Sequence, residues 1–379
     1  MRRAVCFAFS VVAASLIVGS ALDAQSTDSP YKVLSRNRVG GEGGWDYIFA
    51  DPVGRRLYIP RGAVRAVPAT DSTPAHDAVP ARIAVYDLDD PSKLITEIMT
   101  APNSNGNGVA VDPAAAHGFS SSRPQITMFD SKSLQVLKSI PIDSGVGPDG
   151  ILFDTFNERV YIFSHPTKDA TVIDAKTGNN LGRVDLGGTP EQAVSDGNGH
   201  LYAVMQDMPG SVTVVDTRTM KSTGHYSLGD AGRCNGLALD AKNHILFAAC
   251  GNAGNPPAQP ATPMMVILNA ETGNIITRLP LAGSSDGATF NSATMEAFST
   301  GGNGTLTVVK ENSPTNFVVE EILQTMNGAR TIAFDSKTGH IFTMSQERGP
   351  APPPPPEGGR GRGGPPAIPG SFTILVIGK

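Results

Sequence analysis

The sequence predicts an all-β chain, a β-propeller of seven four-stranded blades, and three observations predict it. A unit made of a polar residue, a small residue, an apolar run, an Asp-led turn and a second apolar run recurs seven times. Its copies at Asn107, Asp149, Glu191 and Asn235 are spaced by about 42 to 44 residues, and a period of that size built from strands rather than helices is that of a propeller blade. The chain also ends on Phe372 to Ile377, a third strand with no fourth, while Tyr31 to Val39 is left over before the first unit. That segment is predicted to complete the last blade and lock the ring, which favours seven blades over six or eight.

The elements follow in chain order. Arg2 and Arg3 precede an apolar run from Ala4 to Ala21, and small residues cluster at Gly19, Ser20, Ala21 and Ala24. This predicts a signal peptide over residues 1–24, cleaved after Ala21 or Ala24. The competing reading is an uncleaved anchor, since the run is near the shortest length that spans a bilayer. The mature chain, 25–379, is then expected to be one propeller domain, periplasmic or secreted, monomeric and free of the membrane. Over the full 379 residues, 30 Lys and Arg against 35 Asp and Glu are dispersed, giving a net charge of −5. Nucleic acid is therefore not expected as a partner, because phosphate binding needs a concentrated basic surface.

The third unit shows the blade most clearly. Strand A is Asp149 to Asp154, strand B Val160 to Phe163, strand C Ala170 to Ile173 and strand D Asn180 to Leu186. Asp174 opens the C-to-D turn and Gly178 supplies its left-handed residue, as Asn269 and Gly273 do in the fifth unit. In that fifth unit, counting outward from the A-to-B turn centred near Lys242 puts Cys234 across from Cys250. Facing residues of an antiparallel pair stand about 4.5 to 5.5 Å apart at Cα, within disulfide range, and export would supply the oxidising compartment. Two free buried thiols are the alternative.

The third unit, with Thr171-Val172-Ile173-Asp174 and Thr177-Gly178, resembles the YVTN-type β-propeller repeat, although the literal Tyr-Val-Thr-Asn string is absent. The resemblance covers nearly the whole mature chain. It implies a propeller of the kind found in exported bacterial proteins, with neighbouring families that include lactone hydrolases and subunits of redox enzymes.

Strand A of a blade lines the central channel and starts at its upper face. The residues that open the seven strands A are Asp46, Asn107, Asp149, Glu191, Asn235, Asp286 and Arg330, all polar. They are expected to converge on the upper mouth as ligand-binding residues. Crowded carboxylates repel unless a cation mediates, so Asp149, Glu191 and Asp286 are the candidate ligands for Ca²⁺ or another divalent cation. The competing reading has each residue merely cap its turn and bond the next blade's backbone. Arg330 and Asp46 are a further expected pair, across the closure. The ends of strands B reach the same face and bring Arg61, Arg123 and His165 to rim the acidic centre, a grip for a small molecule with anionic or hydroxyl groups. Three insertions, 62–81, 251–263 and 349–370, fall in B-to-C loops on that face. The last is a Pro- and Gly-rich run, predicted to mix polyproline II with flexible coil. Trp45 is placed either to stack on a ligand or to pack between the first and last blades.

Gly-x-Ser-x-Gly, His-Glu-x-x-His, Walker and Cys-x-x-Cys-His patterns are all absent from the sequence. Three functions survive this. The chain binds a small polar molecule or a protein partner through its top face, or it is a divalent-cation-dependent, lactonase-like hydrolase, or it is an accessory subunit of a redox complex. A metal-bound water needs no nucleophilic side chain, which keeps the second open.

Overall fold

The computed structural model describes residues 30–69, 75–252, 262–350 and 365–379. The expected signal peptide, the centres of two insertions and most of the Pro- and Gly-rich run lie outside the described residues. Among the described residues the chain forms seven antiparallel sheets of four strands each and no helix, which is the predicted seven-bladed propeller. Blades one to six each take four consecutive strands. Blade seven takes Ala333–Phe334, Ile341–Ser345 and Thr373–Gly378 from the end of the chain and Lys32–Arg38 from its beginning. Val33 faces Ile377 and Arg38 faces Thr373, so the first strand closes the ring as expected.

The A-to-B turn explains why the unit repeats. In every blade the fourth residue after the turn-opening Asp, Asn or Ser has positive φ: Arg55, Ala116, Glu158, Gly199, His244, Met295 and Gly339. The opening side chain accepts backbone N–H groups of its own turn, as Asp51 does from Val53 and Gly54, both at 2.9 Å. Asp112, Asp154, Asp240 and Asp335 are buried in the same way. A buried carboxylate is tolerated there because backbone N–H groups of its own turn solvate one of its oxygens.

The core is not central. Apolar side chains form one cluster at each of the seven junctions between neighbouring blades. Phe119, Ile126 and Met128 of blade two meet Val160, Ile162 and Ile173 of blade three, for example. Strands B and C are therefore apolar on both faces, since each blade is covered on two sides. The seam between blades seven and one holds Leu57, Ile59, Phe342, Met344 and Phe372. Below it, Arg55 donates to Asp335 at 2.8 Å and to Asp89 at 2.5 Å, tying the two blades at the lower rim. At the next seam, Tyr31 O–H donates to Glu296 at 2.5 Å and Lys379 Nζ donates to the same carboxylate at 2.8 Å.

A disulfide joins Cys234 to Cys250, which face each other on strands A and B of blade five. Their Cα atoms are 3.8 Å apart, closer than a regular ladder sets them, and register shifts flank Cys234 on both sides.

Candidate functional site

Four consecutive strands A carry the same local irregularity at their first turn into the channel. In blade three, Pro148–Asp154, pairing with strand B skips from Pro148 to Ile151, leaving Asp149 out of register. Blade four, Pro190–Ser195, skips Glu191 and Gln192. Blade five, Arg233–Asp240, skips Asn235, and blade six, Ser285–Asn291, skips Asp286. Each is a β-bulge, and a bulge re-aims the side chain it releases from the ladder. The released residues include four of the seven expected at the mouth, Asp149, Glu191, Asn235 and Asp286. Gly236 and Gly287 follow two of them for a steric reason. A Cβ on Gly236 would stand 2.9 Å from the backbone of blade six, and one on Gly287 would stand 2.9 Å from Ile332 of blade seven.

The released side chains meet. His165, at the end of strand B of blade three, places Nε2 2.9 Å from Asp149 Oδ2 and 3.4 Å from Glu191 Oε1. One ligand atom from each of these three residues lies within 4.8 Å of the other two. Glu191 is 7% exposed and holds the centre of the network. Its carboxylate accepts from Tyr47 O–H at 2.5 Å, from the Gln206 amide, and from Asn235 Nδ2 at 3.4 Å. Tyr47 belongs to blade one, so its bond to blade four crosses the ring. Arg330 Nε stands 3.1 Å from Asp286 Oδ2 and holds that carboxylate as an ion pair.

The electrostatics follow from this crowding. Burial first, and then the charge of Asp149, push the Glu191 carboxyl up to about 8, against the opposing pull of His165. Burial and the charges of Asp149 and Asp286 lift Asp46 well above the carboxylate range. Burial also raises Asp286, although Arg330 opposes it. For His165, burial disfavours the imidazolium, but the Asp149 carboxylate beside it outweighs that and leaves the ring more basic than usual. Arg330 is made more basic chiefly by Asp286. Four carboxylates thus share the mouth with one guanidinium and one imidazole.

Several expected residues stand elsewhere. Asp286 does not join Asp149 and Glu191, because Arg330 of the adjacent blade takes it; His165 stands in its place. Arg330 makes that pair rather than one with Asp46. Arg61 does not rim the mouth: it is 2% exposed, with its guanidinium 3.8 Å from the Phe372 ring centre and Nε donating to the Glu42 carbonyl at 3.2 Å. Burial there pulls its pKa down to about 10. Arg123 is exposed beyond strand B of blade two. The Asn107 amide donates to the Pro148 carbonyl, which is the backbone-bonding role set against a ligand role above. Trp45 packs edge-on against Phe372 at 4.8 Å, in the seam between the last and first blades. Its other side lines a cavity of about 320 Å³ shared with Arg330, Ser345, Gln346 and Arg348.

Two residues were missed. Tyr47 follows Asp46 but reads as an ordinary apolar start of a strand. Gln192, the second residue of the blade-four bulge, accepts from Leu237 N at 3.0 Å and Ala288 N at 2.9 Å and donates to Ala288 O at 2.8 Å. It joins blades four, five and six, and lines a channel cavity with Leu152, Val194, Leu237 and Phe290 as well as the polar Ser195 and Thr289. The available signal was that Gln192 and Tyr47 stand where four other units carry Gly.

Fold and mouth together define a seven-bladed propeller with a polar, convergent upper face. No protein-family model matches this sequence, and no curated protein does. Among solved structures, the chain is similar to one described as Kuenenia stuttgartiensis hydrazine synthase, with a TM-score of 0.63 at 14% identity over 80% of this chain and 92% of that one. It is also similar to a chain of a mitotic checkpoint complex, with a TM-score of 0.66 at 8% identity over 88% of this chain and 96% of the other. At such identities the likeness shows the propeller fold and nothing finer. The YVTN-type resemblance remains one of repeat pattern.

Proposed function

We propose that this protein is an exported propeller of the YVTN type that binds a small polar ligand through its upper mouth. One observation carries the reading: four successive blades each carry a β-bulge that releases a polar strand-opening side chain at the upper mouth. A bulge interrupts the ladder, and four in register at one face are the arrangement of a binding site rather than of turn caps. The surplus of carboxylates favours a ligand with cationic or hydroxyl groups. The cavity beside Trp45 and Arg330 is of the size small molecules occupy. Export is supported by the basic and apolar N-terminal sequence and by the Cys234–Cys250 disulfide. No helix among the described residues is long and apolar enough to cross a membrane. No arrangement of those residues favours hydrolysis over binding, so the lactonase-like alternative is not advanced.

The reading is tested by thermal-shift screening of the mature protein against hydroxylated acids, amino sugars, polyamines and lactones. A compound that raises the melting temperature of the parent should lose that effect in an Asp149→Asn, Glu191→Gln double variant. Binders indifferent to that variant, or found only at an exposed rim, would end the proposal in favour of a protein-docking role, which affinity capture would then have to demonstrate.

A further inference from the structure

The geometry points to a resident transition-metal dication of the Zn²⁺ class, rather than Ca²⁺, held in the upper mouth by Asp149, His165 and Glu191. This deepens the proposed function and rests on it, since the same mouth would then present the ligand with a metal ion.

The argument starts from donor types. Ca²⁺ and Mg²⁺ take oxygen ligands, whereas imidazole nitrogen with carboxylate oxygen suits first-row transition metals and zinc. The carboxylate trio expected from sequence would have been an oxygen site. The trio actually assembled replaces Asp286 with a nitrogen donor. Spacing agrees: ligands about 2.0 to 2.1 Å from a tetrahedral zinc lie roughly 3.4 Å from one another. His165 Nε2 is 2.9 and 3.4 Å from the two carboxylate oxygens, and all three ligand atoms lie within 4.8 Å of one another, so the carboxylates close on the ion as it binds.

Two further observations support the site. His165 Nε2 is buried beside both carboxylate oxygens, where one ring nitrogen can join them on a shared centre. Asn235, 3% exposed, anchors Glu191 through Nδ2 while its own Oδ1 is buried without a partner. Buried amide oxygens are seldom left so, and a metal ion or a water bound to it would satisfy this one. Around the three ligands stand groups that orient them: Tyr47 and Gln206 both donate to Glu191. Such outer partners are typical of metal sites. Three protein ligands leave at least one coordination position for a water or for the ligand of the mouth.

The test uses the mature protein, purified without a histidine tag. Elemental analysis of the untreated material should find close to one equivalent of zinc, manganese or iron. After chelation, titration with Zn²⁺ or Mn²⁺ should restore a melting temperature that Ca²⁺ and Mg²⁺ at the same concentration do not. His165→Ala and His165→Gln should both abolish the Zn²⁺-dependent shift, with circular dichroism confirming that each variant is folded. Asp286→Asn should keep it, because Arg330 rather than a metal holds Asp286. The inference fails if Ca²⁺ stabilises as well as Zn²⁺, if the histidine variants respond like the parent, or if no metal binds. Running the small-molecule screen on chelated protein separates the two readings. Polar ligands that still bind there, blocked by the double variant at Asp149 and Glu191, would leave the proposed function standing without its metal.

Discussion

The upper mouth and the lower rim of this propeller are built from the same residue types, an acidic or amide side chain in six of the seven blades at each, yet they behave as opposites. At the lower rim each carboxylate accepts the N–H groups of the turn it opens, so Asp51, Asp112 and Asp335 are buried and satisfied within a few residues. At the upper mouth Asp46, Asp149, Glu191 and Asp286 find one another instead, and burial combined with mutual charge makes several reluctant to ionise. A polar residue repeated at every blade is thus no evidence of function. Convergence without local satisfaction is.

The comparison can be broken in three ways, beginning with the frame that both regions share. Removing residues 30–39 takes away the closing strand and exposes the edge of Thr373–Gly378. Loss of about 5 kcal/mol or more, enough to abolish cooperative folding of a domain of ordinary stability, is expected by chemical denaturation. A deletion variant with the parent's midpoint would show that the ring does not depend on closure.

The second concerns the lower rim. Asp335→Ala removes one of the two carboxylates that hold Arg55 and uncaps its own turn, and should cost on the order of 3 kcal/mol, as breaking a buried pair does. Burial pushes the Asp335 carboxyl up, but the Thr338 hydroxyl and Arg55 outweigh it and hold it below the usual range. A depressed folded-state value means that its stabilisation is complete above the unfolded carboxyl pKa of about 4 and is lost as pH falls through the lower, folded one. The difference between parent and Asp335→Asn should accordingly shrink as the pH is taken below about 4. A gap that stays constant to pH 2 would count against the ion pair.

The smallest effect is expected at the mouth, and with the opposite sign. Asp46→Asn in metal-free protein removes a charge repelled by Asp149 and Asp286 and should stabilise by about 1 kcal/mol at neutral pH. A loss of stability on that substitution would mean that the mouth acids are structural like those of the rim.

How much of this was legible in the sequence depends on how local each cause is. The blade count, the closing strand and the disulfide follow from period and register, which a linear chain displays. The seven strand-opening residues were legible for the same reason. What they do was not. Whether Asp149 and Asp286 share a ligand depends on which neighbour reaches each first, and Arg330 sits one blade from Asp286 while His165 shares a blade with Asp149. The bulges that release the mouth residues are invisible without the facing strand. Arg61 misled because it ends a strand B, where a mouth residue is expected, but the Phe372 ring brought beside it by closure offers a cation-binding face.

That closure also sets a clock. The first described strand finds its partner only in the last one, and Tyr31 and Lys379 lock onto the same Glu296. No intermediate length of nascent chain can therefore be a finished ring. Six blades can stack as they emerge, but the seam around Phe372 and Arg61 must wait for the strand Thr373–Gly378, leaving the faces of the first and last blades apolar and uncovered until that strand has emerged.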